Sequence, residues 1–412
     1  MIHYEKFTLS NGLRVLVHPD KSTPMAVINV MYDVGAKDEN PDKTGFAHLF
    51  EHLMFGGSIN IPSYDEPLQL AGGENNAFTT NDLTNYHCQL PAENIETAFW
   101  LESDRMLSLG FNEKSLEVQR KVVSEEFKEH YINKPYGDVW HQIRELAYTT
   151  HPYKWMTIGK ELSHVENATL QDVKDFFFKH YTPINAILVV AGNVEVDKIK
   201  ELAEKWFGPI PAGTKYQRNI PIEPEQKIAR KKQVHANVPL DALYKVWHIY
   251  PRLDKRYYTV DLMTEILSGG GSSRLVQSLV KEKQLFSGIS CYHLGSTDAG
   301  LLTIEGKLVK GVKMEDAEAA LNHELQLLQQ QGISEEELHK VINKTESLLS
   351  FEDMSVENRA TKLAMYELLG DVSLINTELD NYQSVTAEEI VNEAKKVFDP
   401  NNSNTLYYYS NN

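Results

Sequence analysis

One local pattern occurs twice in this chain, and its recurrence limits the available folds more than any other feature. Thr169-Leu170-Gln171-Asp172 sets a Thr three residues ahead of an acidic side chain, the reciprocal arrangement that caps a helix N-terminus. A helical stretch to Tyr181 follows, then Pro183 and the run Ala186-Ile187-Leu188-Val189-Val190, which reads as a strand. Thr386-Ala387-Glu388-Glu389, a helix to Phe398, Pro400 and the strand Thr405-Leu406-Tyr407-Tyr408-Tyr409 repeat the order, with fourteen positions from Thr to Pro in each copy. Residues 26–30 likewise resemble residues 242–246, some 216 positions later, and Gly56-Gly57 has a counterpart in Gly269-Gly270-Gly271. The chain is therefore read as an internal duplication, two halves that each mix helices and strands. At 412 residues with 42% apolar side chains it is long enough for two cores. The division expected is residues 1–212, a Pro- and Gly-marked linker over 213–232, and residues 233–412.

Between the Asn11-Gly12 hairpin turn and Gly56 lies His48-Leu49-Phe50-Glu51-His52. On a helix, positions i and i+4 share a face, so the two imidazoles stand one turn apart with Glu51 beside them. The spacing HxxEH inverts the HExxH zinc motif. Two neutral imidazoles suit zinc, and a nearby carboxylate can reach a metal-bound water without binding the metal. The rival reading, two helix histidines four apart by chance, is disfavoured by the apolar surroundings Ala47, Leu49, Phe50, Leu53, Met54 and Phe55, because buried polar groups need partners. A catalytic zinc commonly takes a third protein ligand. The helix near residues 115–131 offers Glu117, Glu125, Glu126 and Glu129, and Leu116, Val123 and Phe127 define its inner face. Glu126 lies on that face and is the ligand candidate; Glu125 and Glu129 read as solvated. Gln119 shares the face two turns earlier and is a candidate hydrogen-bond partner for a ligand. In the second half, the Gly-Gly register sets Asp261, Thr264 and Glu265 where the first half has His48, Glu51 and His52, so metal binding is expected of the first half alone.

Composition excludes several classes. A net charge of −17 leaves nothing to neutralise a run of phosphates, which argues against nucleic acid. No apolar run approaches a membrane span. Cys88 and Cys291 are too few and too far apart for a disulfide framework, and the polar start Met1-Ile2-His3-Tyr4-Glu5-Lys6 is not a signal peptide. A cytoplasmic setting is expected, or a periplasmic one if a leader was removed.

These residues resemble the pitrilysin, insulinase and mitochondrial processing peptidase family of zinc peptidases, in its short bacterial processing-peptidase-like branch. The resemblance spans the chain and rests on His48-Leu49-Phe50-Glu51-His52, on Gly72-Gly73-Glu74-Asn75-Asn76-Ala77-Phe78-Thr79 with Asp82, Thr84 and Tyr86, and on Arg120-Lys121-Val122-Val123-Ser124-Glu125-Glu126. Asn133-Lys134-Pro135-Tyr136-Gly137 and Gly270-Gly271-Ser272-Ser273-Arg274-Leu275 extend it. It implies an α+β fold, an α/β sandwich of two duplicated domains, each a mostly antiparallel sheet covered by helices, assembled as a clamshell with a partner subunit. It implies Zn2+ held by His48, His52 and Glu126, with Glu51 as general base for water attacking a peptide carbonyl. It also implies that Asn76 and Ala77 lie on an edge strand to which an extended peptide adds. One departure stands out. Active relatives carry an Arg and a Tyr seven residues apart in the second half, and those places here hold Val280 and Ser287. The expectation is a zinc-dependent endopeptidase of short or unfolded peptides, the zinc-bearing subunit of a dimer in which a paralogous subunit supplies the Arg/Tyr pair. The alternative is a non-catalytic structural or peptide-capturing subunit descended from such an enzyme.

Overall fold

The computed structural model describes residues 1–411. The chain forms two compact units, each α+β. One comprises Met1–Glu129, Trp155–Ile220 and Ser350–Asn376; the other comprises His130–Lys154, Pro221–Leu349 and the chain from Thr377 onward.

In the first unit six strands form one sheet: β1 (Glu5–Thr8), β2 (Arg14–Pro19), β3 (Met25–Tyr32), β4 (Glu74–Thr79), β5 (Thr84–Pro91) and β6 (Ala186–Gly192), in the order β1-β2-β6-β3-β5-β4. Pairing is antiparallel except between β2 and β6. In the second unit β7 (Arg230–Ala236), β8 (Ala242–His248), β9 (Phe286–His293), β10 (Leu301–Leu308) and β11 (Ser403–Ser410) follow the order β7-β11-β8-β10-β9, again with one parallel pair, β7 with β11. Strand for strand this is the first sheet without β1, so the repeat seen in the sequence is a repeat of topology. Both capping boxes form, at Thr169 and at Thr386. Strand β1 is the addition of the first half. It pairs with β2 through the Asn11-Gly12 turn, where Gly12 takes the positive φ of 88° that a β-carbon disfavours.

Side-chain alternation decides what covers each sheet. Strand β6 is buried throughout and β3 nearly so, as a central strand covered on both faces must be. Val27, Met31, Ile187, Val189 and Ala191 point to one face and pack against Ala360, Leu363 and Ala364 of the Val356–Leu369 helix. Tyr32 and Tyr86 point to the opposite face, where they meet Tyr181, and Phe50 stacks on that same Tyr181. The His48–His52 segment therefore lies on the face away from the Val356–Leu369 helix. The second sheet packs one face, including Leu243, Trp247 and Ile304, on helices Arg256–Ser268, Met314–Gln331 and Ala387–Val397. Its other face, with Tyr244, Val246, Leu406 and Tyr408, is covered by Val139, Ile143 and Ala147 of the Val139–Ala147 helix.

The two covering helices are exchanged between the halves. A helix from the second half of the chain covers the first sheet, and a helix from the first half covers the second. The same 216-residue offset that relates β3 to β8 carries residues 139–147 onto 355–363, so the exchanged segments occupy one position in the repeat. A second difference from the sequence reading lies near residue 128: the helix Glu113–Phe127, capped by Asn112, gives way to a π-helical turn at Lys128–Ile132. Such wide turns cluster at functional sites, and this one begins two residues after Glu126.

Leu363 is fully buried in the exchanged helix. Leu363→Ala is expected to destabilise the first unit by about 2–5 kcal/mol, the cost of a cavity that cannot collapse. Urea unfolding followed by far-UV circular dichroism measures it; a change near zero would mean that this helix does not cover the sheet.

Candidate metal centre

The helix Phe46–Leu53 is only eight residues long, and it buries Phe46, Ala47, Leu49, Phe50 and Leu53. Helices of that length do not hold themselves together in water. Three contacts fix this one. At its start Gly45 has φ 89°, and the carboxylate of Glu39 accepts the N–H of Gly45 (2.9 Å) and of Ala47 (2.8 Å), two donors that the first helical turn leaves unpaired. In the middle, Phe50 stacks on Phe176 and Tyr181, with ring centroids 5.0 and 5.1 Å away. Beyond its end, Phe55 packs edge-on to Tyr64, and the guanidinium of Arg105 lies over Phe55, Tyr64 and Tyr86. Arg105 is paired with the fully buried Glu102 at 2.6 and 2.9 Å.

The side of the helix away from this packing carries the histidines. Their rings are 4.9 Å apart and nearly perpendicular. Opposite them Glu126 brings Oε1 to 3.7 Å from His48 Nε2 and Oε2 to 3.5 Å from His52 Nε2. One ligand atom from each residue lies within 4.8 Å of the others, and among the described residues this is the one such cluster of three or more metal-ligating side chains. A tetrahedral zinc with bonds near 2.0–2.1 Å wants ligand atoms about 3.3 Å apart. The donor set and its spacing fit zinc. Burial pushes the His48 imidazole below its usual range, with Glu126 pulling the other way, so His48 favours the neutral form a metal needs. His48 Nδ1 is buried without a hydrogen-bond partner.

Glu51 shares the metal-facing side. Its Oε2 accepts the hydroxyl proton of Thr79, the last residue of β4, at 2.6 Å. Strand β4 is the outer edge of its sheet. Asn76 is exposed there, Ala77 is half-buried, and the Ala77 N–H donates to Asn76 Oδ1 at 2.8 Å. Gln119 is half-buried on the Glu113–Phe127 helix, and its amide is not hydrogen-bonded to His48, Glu51, His52 or Glu126. The structure thus brings His48, Glu51, His52 and Glu126 together and leaves Gln119 apart from them.

At the corresponding helix of the second unit the polar residues are committed elsewhere. Asp261 accepts from His293 (2.9 Å) and Tyr382 (2.6 Å), Thr264 donates to the Asp261 carbonyl, and Glu265 pairs with Lys344. Val280 packs on the apolar core of that unit, and the exposed Ser287 donates to the Lys307 carbonyl.

Two residues that shape the site carry no role in the sequence reading. Thr79 stands in a quoted motif, but nothing local says that its hydroxyl reaches Glu51, 28 positions earlier. Glu39 reads as part of a loop, and only its distance from the helix start, with Gly45 between, hints at a cap.

Comparison with known proteins identifies the family. Residues 14–159 match the family described as "Insulinase (Peptidase family M16)", and residues 167–345 match "Peptidase M16 inactive domain". The zinc protease PqqE of Helicobacter pylori is 29% identical over 98% of this chain and 92% of its own length. The crystal structure of a protease from Helicobacter pylori superposes with a TM-score of 0.93 at 28% identity, covering 99% of this chain and 100% of that one. The beta subunit of the mitochondrial-processing peptidase of Saccharomyces cerevisiae is 29% identical over 49% of this chain and 44% of its own length.

Burial pushes the Glu39 carboxyl up from the usual 4.5 to about 8, against the pull of its two N–H donors. Between those values the folded chain holds this proton more tightly than the unfolded chain does, so Glu39 withdraws stability as pH rises through that window and contributes none of the change above it. The urea midpoint is expected to fall further between pH 5 and pH 8.5 in the natural protein than in Glu39→Gln; equal falls would mean that Glu39 does not carry the effect.

Proposed function

Because the chain belongs to the insulinase (M16) family of peptidases, we propose that it is a zinc-dependent endopeptidase acting on short or unfolded peptides, and the metal-bearing subunit of a dimer. The observation that carries this reading is the convergence of His48, His52 and the Glu126 carboxylate, one ligand atom from each within 4.8 Å of the others, with the Glu51 carboxylate near enough to act electrostatically on His48. Relatives called zinc proteases support it.

His48, His52 and Glu126 would hold the zinc. When bound, it acts as a Lewis acid that makes water a stronger acid and polarises a carbonyl. Glu51 accepts the proton from the attacking water at the carboxylate oxygen that Thr79 does not occupy, and returns it to the departing amine. Gln119 is assigned the support of a ligand once metal is present. The substrate adds to the outer edge of β4 beside Asn76 and Ala77, where backbone hydrogen bonds bind without regard to side chains. The Ala77 N–H is already held by the Asn76 side chain, so that amide must swing away as the peptide pairs.

Residues 1–212 are read as the metal-bearing repeat, 213–232 as a linker and 233–412 as the metal-free repeat. With Val280 in a core and Ser287 tied to a carbonyl, neither supplies a cation or a phenol for a developing oxyanion. A paralogous subunit carrying an Arg/Tyr pair would supply them, and the name of the yeast relative, a beta subunit, is in keeping with divided labour. Among the described residues no helix is long and apolar enough to cross a membrane. The two free, buried cysteines suit a cytoplasmic setting, or a periplasmic one for a processed form.

Cleavage of quenched fluorescent peptides by the zinc-loaded chain, with and without the paralogous subunit, tests the proposal. Glu51→Gln is expected to keep its zinc and lose kcat by about 10²–10⁴-fold, the usual worth of a general base. Glu126→Gln is expected to lose zinc as measured by mass spectrometry. Unaltered turnover in Glu51→Gln would overturn the mechanism, and absence of turnover with both subunits present would favour a peptide-capturing role.

A further inference from the structure

We propose that Thr79 is the positioning residue of the general base: its hydroxyl clamps one oxygen of Glu51 and leaves the other turned to the reacting water. The inference deepens the peptidase reading and rests on it.

A half-buried glutamate has three rotatable bonds, and a proton acceptor that wanders loses effectiveness, because catalysis requires the reacting groups already aligned. Here one of those oxygens is held at 2.6 Å, the length of a charge-assisted O–H···O⁻ bond. The clamp is only as rigid as the residue that carries it. Thr79 ends β4 opposite Thr84, whose side chain is fully buried and donates to the Val34 carbonyl at 2.9 Å. Between them the turn closes on itself: Thr80 N–H donates to the Leu83 carbonyl, and the Thr80 hydroxyl accepts the N–H groups of Asp82 and Leu83.

That turn is bolted to the segment just before the metal helix. Ala36 N–H donates to the Thr80 carbonyl (3.1 Å), Lys37 N–H donates to the Asn81 carbonyl (2.9 Å), and the Lys37 ammonium pairs with Asp82 at 2.8 Å in a buried site. Gly35 approaches so closely that a β-carbon there would stand 2.5 Å from the Asn81 backbone. Four residues on, Glu39 caps the metal helix. The clamp and the base therefore hang from one anchor, Gly35–Glu39, and cannot drift apart. Since Thr79 also belongs to the strand that receives the peptide, docking at the β4 edge and alignment of the base are set by the same backbone.

The isosteric Thr79→Val keeps the branched shape a strand prefers and removes the hydroxyl alone; Thr79→Ser keeps the hydroxyl. In the assembled, zinc-loaded enzyme, Thr79→Val is expected to lower kcat about tenfold to a hundredfold, the span of a hydrogen bond to a charged group, with KM and zinc content unchanged. Thr79→Ser should restore most of the rate. A second readout needs no turnover: in metal-free protein, thermal unfolding of Thr79→Val, Glu51→Gln and the double variant should be non-additive if the two side chains are bonded. An unchanged kcat in Thr79→Val, a loss confined to KM or to zinc content, failure of Thr79→Ser to rescue, or additive melting shifts would each overturn the proposal. Should the natural enzyme show no turnover, the peptidase reading fails, and the melting coupling alone decides whether Thr79 holds Glu51.

Discussion

Lys37, Asp38 and Glu39 are three consecutive ionisable residues, and all three are buried. Charges are removed from water at a cost of several kcal/mol each unless partners replace the solvent. Each here has a different partner. Lys37 pairs with Asp82 in the turn after β4, Asp38 takes the guanidinium of Arg218 and the N–H of Gly35, and Glu39 takes the start of the metal helix. One short segment thereby fixes the edge strand, a stretch of chain near residue 218 and the helix that carries His48, Glu51 and His52. The site's geometry depends on this bracket because the metal helix has too few turns to be stable by itself and too few polar contacts of its own to be oriented.

Packing supplies the other half of the constraint. Phe50 occupies the side of the helix opposite the histidines and is stacked among Phe176, Phe177 and Tyr181, while Phe55 lies in the aromatic group around Arg105. A rotation of the helix that displaced His48 or His52 by a fraction of an ångström would have to break that stack. Glu126 arrives from a separate helix whose inner face is set by Leu116, Val123 and Phe127 and which packs against the helix of the two histidines, so the three side chains meet only because that packing is close. In the second unit the same helix position has Asp261 in a buried hydrogen-bond network with His293 and Tyr382, and Glu265 in an ion pair. The repeat kept the architecture and gave its polar residues another task.

Much of this was legible along the chain. HxxEH at helical spacing shows its chemistry locally, because ligand geometry on one helix is a matter of residue number alone. The capping boxes at Thr169 and Thr386 were readable for the same reason, and the duplication followed from their recurrence. Glu126 could be chosen among four carboxylates because helix periodicity separates inner from outer faces. By contrast, nothing in residues 35–39 announces burial; a Lys-Asp-Glu run reads as a solvated turn, and the partners that make burial tolerable are Asp82, Arg218 and the backbone at Gly45 and Ala47. Gln119 differs again: helix periodicity sets it on the same helix as Glu126, two turns earlier, but the part its amide would play is not a matter of spacing.

The amino-acid sequence by itself determined the repeat, the helix that presents two imidazoles and a carboxylate, and the absence of that set from the second half, since each depends on spacings within one element. Only the tertiary structure decided that the Val139–Ala147 and Val356–Leu369 helices cross to the other half's sheet, that Glu39 caps the metal helix, and that Thr79 holds Glu51. Those outcomes rest on contacts between residues far apart in the chain, and such contacts are selected by which buried surfaces and polar groups remain unsatisfied once the local elements have formed.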